Sequence, residues 1–93
     1  MTTPSSDVKD PDAVLDYRWD WSPWLSEGDE ITEHSVTVAA GSVEVDSSSH
    51  DETSVTAWIS GGVDGENATV TARVSTAQGR IDESSWLLLI RQQ

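Results

Sequence analysis

Apolar side chains in this 93-residue chain return at every second position, and no stretch sustains the three-to-four spacing of a helix. A period of two is the signature of strands with one face buried. From Asp12 onward serine and threonine are abundant and helix formers sparse, so the whole body is expected to be β. About seven short runs are expected. The first, 13–21, puts Leu15, Tyr17, Trp19 and Trp21 on one face and Asp16, Arg18 and Asp20 on the other. Pro23 then ends the pairing, because proline cannot donate to a ladder.

Further runs follow at 31–38, with Val36 and Val38 inward, and at 42–45, with Val43 and Val45 in step. "AAG" at 39–41 reads as a turn and "DSSSHDE" at 46–52 as a polar loop. In "TSVTAWIS" Val55, Ala57 and Ile59 share a side opposite Thr56 and Trp58. In "ATVTARVST" Val70, Ala72 and Val74 point in. The last run, 81–91, has Trp86, Leu88 and Ile90 on one face and Leu87 and Leu89 on the other, which suggests an enclosed strand. Short strands with turn signals every 8–12 residues point to an antiparallel β-sandwich, best matched by immunoglobulin-like topology, with a small closed barrel as the alternative. Residues 1–12, polar and bearing two prolines, read as an extended arm, mobile in the free protein; residues 13–93 form the single domain.

The chain is long enough for one thin core and leaves little room for a substrate cleft. With no cysteine it must hold by packing alone. "MTTPSSDVKD" lacks the basic start and apolar run of a signal peptide, and Trp86–Ile90 is too short to cross a bilayer. A soluble protein is expected. Net charge is −12, and residues 1–52 carry 13 acidic against 2 basic side chains. Such a surface repels nucleic-acid phosphates and anionic lipid, which argues against both as partners.

No catalytic or cofactor signature appears, and no cofactor or metal is expected. Asp10 and Asp12 flank Pro11 without the ligand spacing of a calcium loop. Paired acids for glycoside hydrolysis need a cleft this chain lacks. His50 lies among "SSSHDE", but neighbours in one loop do not assemble a triad. His34 alternates outward and is either a surface residue or a weak pH-sensitive contact. The aromatics divide: Trp19 and Trp86 read as core, whereas Trp24 follows Pro23 and Trp58 opposes its apolar neighbours, so either can be exposed. Exposed tryptophans beside carboxylates would also suit a carbohydrate-binding module.

"KDPDAVLDYRWDWSPWL", followed by "VTAWISGGVDGENATVTARVSTAQGR", resembles a family of small tailed-phage virion proteins. The shared elements are a K-D-P-D-x-x-L-D-Y opening at 9–17, W-S-x-W-L at 21–25, W-[IL]-S-G-G at 58–62 and T-x-x-G-R at 76–80. The chain departs in its greater acidity and its long "DSSSHDE" loop. The resemblance implies an immunoglobulin-like, non-enzymatic accessory subunit of the virion, either a fibre-to-tail adaptor or a minor capsid or head-decorating protein, made in the bacterial host cytoplasm. Its expected partners are other capsid or tail subunits, with self-association in a ring or trimer as a further expectation. The arm together with Trp21 and Trp24 is the expected attachment region, adding a strand to a neighbour's open edge. Asp10, Asp12, Trp21, Trp24 and Trp58 are the candidate partner contacts.

Overall fold

A computed structural model describes residues 5–92 and contains seven strands: β1 (Ser5–Lys9), β2 (Leu15–Asp20), β3 (Ile31–Ala40), β4 (Val43–His50), β5 (Ser54–Gly61), β6 (Asn67–Thr76) and β7 (Ile81–Ile90). They form two sheets, β1-β7-β6-β3 and β2-β5-β4. Every pairing is antiparallel except β1 with β7, which is parallel. The second, fifth and fourth strands on one side and the third, sixth and seventh on the other reproduce the two-sheet division of immunoglobulin domains. The first strand joins the sheet of the last. No ladder closes the two sheets into a barrel among the described residues, so the sandwich is the fold.

The core lies where the alternation puts it. Tyr17, Trp19 and Trp21 are buried from one sheet, together with Val55, Ala57 and Ile59. Val70, Ala72, Val74, Leu88 and Ile90 meet them from the other. Each large ring removes roughly 150–250 Å² from water, a gross gain of about 4–6 kcal/mol before entropy is charged against it. Tyr17 and Trp86 touch across the interior with ring centroids 5.3 Å apart. Trp86 is only half-buried, and its indole N–H donates to the Arg18 carbonyl at 3.3 Å.

Four expectations need correction. Residues 5–9 of the expected mobile arm are extended, but they are hydrogen-bonded into the protein's own sheet as β1, in register from Ser5 beside Trp86 to Lys9 beside Ile90. They have no free strand to lend to a neighbour, and residues 1–4 of the arm lie outside the described residues. The "AAG" turn shrinks to Gly41, since β3 runs to Ala40. Most of the "DSSSHDE" stretch is strand: β4 continues to His50 as a polar edge strand, and edges need no buried outer partners. Finally, His34 lies on the same side of β3 as Val36 and Val38, pointing between the sheets. A bulge between Ile31 and Glu33 reverses the alternation ahead of it.

Candidate partner-docking surface

The two ends of the sandwich are closed by polar clasps, and the sequence motifs build both. At one end, Lys9 is 0 % exposed although it follows a polar segment. Its ammonium donates to the carbonyl of Gly61 at 2.7 Å and to that of Asp10 at 3.0 Å. Burial pushes its pKa down, and the carboxylates of Asp10, Asp12 and Asp46 partly offset this. The Asp10 carboxylate accepts from the Asp12 amide at 2.8 Å, and the Asp10 carbonyl accepts from the Ala13 amide, so the K-D-P-D segment forms a tight turn. Opposite it, Gly62 adopts φ +105° with Ile90 atoms 3.2 Å from where a Cβ would stand. The W-I-S-G-G segment is thus shaped to seat Lys9 and Ile90.

At the other end, W-S-P-W-L forms a helical turn in which the Trp24 and Leu25 amides both donate to the Trp21 carbonyl. The Trp21 indole N–H donates to Asp82 at 2.9 Å. In the T-A-Q-G-R hairpin the Arg80 amide donates to Thr76 Oγ1 at 3.1 Å. The Arg80 guanidinium then donates to the Trp24 carbonyl and to Ser26 Oγ, and stacks 4.0 Å over the Trp24 ring.

This arrangement sorts the five candidate contacts. Trp21 is 0 % exposed and hydrogen-bonded inside the fold, so it offers nothing to a partner; the expectation for it is corrected. Trp24 is half-buried, with one ring face occupied by Arg80. Asp10 is half-buried and Asp12 exposed at the turn beside Lys9. Trp58 is 46 % exposed on the outer face of the three-stranded sheet. Asp16 of β2 and Ser47 of β4 are its cross-strand neighbours. Asp20, Glu44 and Asp46 add exposed carboxylates to these strands, against one exposed cation, Arg18, and Asp46 accepts from Ser60 Oγ at 2.9 Å. A solvent-facing indole therefore stands among carboxylates.

His34 and His50 bridge the two sheets at the open β3–β4 edge, their Nδ1 atoms in contact and their rings edge to face at 4.7 Å. The second nitrogen of His34 meets Ser48 Oγ at 3.0 Å. Burial and the neighbouring His50 ring lower the His34 pKa. Asp51 instead accepts from Thr53 and Ser54 in its own turn, so "SSSHDE" assembles no triad. A shallow depression of about 170 Å³, lined by Glu33, His34, Ser35, Arg73 and Ser75, falls below the roughly 300–1,000 Å³ of ordinary ligand pockets. Among the described residues no group of three or more His, Cys, Asp or Glu side chains is placed to hold a metal ion.

The family model of the podophage GP4 fiber-tail adaptor protein gp77 matches residues 9–89, a span that runs from the Lys9 clasp almost to the end of β7. The chain belongs to this family. No curated protein matches it. Of the readings the resemblance implied, the match falls on the fibre-to-tail adaptor, a structural role in the phage tail. Three residues that shape this fiber-tail adaptor fold were not singled out from the sequence, Lys9 and Arg80 as clasps and Ser48 as a partner of His34, while His50 was weighed only against a triad and not as the second partner of His34. Lys9 and Arg80 do fall inside the motifs, which was the available signal.

Proposed function

We propose that this chain is a non-enzymatic adaptor subunit, made in the host cytoplasm, that docks onto a basic surface of a neighbouring tail component through the acidic face around Trp58. Asp10 and Asp12 stand at one end of that face. The observation that carries the reading is the 46 % exposure of Trp58 in a molecule whose other large rings are buried or half-buried. An indole left in water among carboxylates supports an anchor for a socket edged by arginine or lysine, since tryptophan anchors dominate interface energetics and charge complementarity speeds encounter. Copies of the same chain are a second class of partner.

The test is particle assembly with Trp58→Ala. Losing such an anchor costs about 2–4 kcal/mol, or roughly 30- to 700-fold in affinity. The variant should melt like the parent yet be depleted from purified particles, and Asp12→Lys should weaken incorporation most at low salt. Undiminished incorporation of Trp58→Ala would end the proposal. Quenching of the Trp58 emission by a soluble glycan would favour the carbohydrate-binding reading instead.

A further inference from the structure

The two outer faces of the sandwich differ sharply in charge. One carries the carboxylates around Trp58. The other, formed by β1-β7-β6-β3, is neutral over most of its area. Val8 (43 % exposed) lies beside Leu89, and Leu87 (37 % exposed) beside Thr69. Thr71 and Thr37 stand side by side on the next rung of the same face, Thr37 on the edge strand. Charge on this face gathers at one end, where Arg73 and Glu83 pair at 3.0 Å and Glu33 stands near Arg73. A chain of net −12 that confines the charge of a broad sheet face to one end and leaves the rest neutral and partly apolar is equipped for contact there.

We infer that this face packs against the same face of a second copy, two sandwiches back to back about a two-fold axis. The argument for a second copy is electrostatic. Sheets stack about 10 Å apart, so a back-to-back pair places its two acidic outer faces about 30 Å from each other. That is between three and four Debye lengths at physiological salt, where the length is about 8 Å. Any other mutual orientation brings a carboxylate-bearing face closer to its copy. A basic partner, by contrast, is drawn to the opposite face. Leucine, valine and threonine rows are suited to sheet-on-sheet packing, and an isologous contact needs no second surface.

The area sets the strength. Four strands about 4.8 Å apart and about 30 Å long give a face of roughly 600 Å² per copy, below the about 800 Å² of a standard interface. The pair is therefore weak in dilute solution and forms where copies are concentrated, as on a particle. This goes beyond the adaptor reading, which a monomer satisfies equally well.

Sedimentation velocity over a concentration series reaching about 1 mM, at low and at high sodium chloride, tests it. The weight-average mass should rise from one chain towards two, and more readily at high salt, where repulsion is screened. Leu87→Glu and Thr37→Glu should hold the protein at one chain, while Thr56→Glu on the opposite face leaves pairing intact. Circular dichroism and thermal midpoints establish that each variant is folded, and Thr37, exposed at the edge strand, serves if Leu87→Glu does not fold. A single-chain mass throughout, a plateau at three chains, or loss of pairing in Thr56→Glu would overturn the inference. Normal pairing by a protein whose Trp58→Ala variant still enters particles would sink the docking proposal alone.

Discussion

Lys9 offers a direct test of how the first strand is held. Replacing it with methionine keeps most of the apolar stem but removes the ammonium that donates to Gly61 and Asp10. Two hydrogen bonds from a charged donor contribute about 1.5–3 kcal/mol each. Against this stands the desolvation of the ammonium, itself several kcal/mol, which methionine does not incur. The net loss for Lys9→Met is therefore small, about 1 kcal/mol. Lys9→Ala also deletes three buried methylenes at about 0.8 kcal/mol each, so its cost is about 3–4 kcal/mol. For a domain of this size that lowers the thermal midpoint by roughly 12–30 °C. Urea denaturation followed by tryptophan emission measures both, and hydrogen exchange at β1 reports whether the strand has come loose. A loss below about 0.5 kcal/mol for Lys9→Ala, the level of an ordinary surface change, would refute the clasp.

Other outcomes follow from the same structure. Gly41 has φ +95°, and a Cβ there would stand 2.6 Å from the Ala68 Cβ and 2.9 Å from its Cα. Gly41→Ala should cost about 2–4 kcal/mol in chemical denaturation, and parent-like stability would show that the turn is not so confined. His34 has a folded pKa below 6.5, so the unfolded state binds more protons and stability should fall as pH drops through 6.5 towards that lower value. Urea midpoints taken across this range should show the decline in the parent and not in His34→Gln; a flat parent profile refutes it. Burial, and after it the nearby Asp7 carboxylate, push the Tyr17 pKa up to about 12 from 10.0. Stability tied to Tyr17 is thus fully present below 10.0 and is lost as pH rises to about 12, with phenolate absorbance appearing only in that upper range. A phenolate transition at 10.0 in the folded protein would contradict this.

The sandwich was legible because period two labels faces. Val55, Ala57 and Ile59 were separable from Trp58 on alternation alone, and Val70, Ala72 and Val74 likewise. Alternation fails where a bulge shifts the phase, which is why His34 reads as outward in the sequence yet points between the sheets. It is silent on edge strands with no buried outer face, which is why the polar half of β4 read as loop. It also has no means of marking a lysine buried against carbonyls, because Lys9 sits alone at the end of a polar segment. At the proposed docking surface, the exposure of Trp58 was open in the sequence, since an out-of-phase ring can be covered by a neighbouring segment. The match between Trp24 and Arg80 spans more than fifty positions and is invisible without the fold.

The parallel union of β1 with β7 bears on how this adaptor would carry tension. Ser5 lies level with Trp86 and Lys9 level with Ile90, so the chain leaves the two strands in opposite directions. Pulling on those departures slides one strand along the other and strains all their rungs at once, instead of peeling them singly. Shear spreads along the whole ladder a force that a zipper would concentrate on one rung.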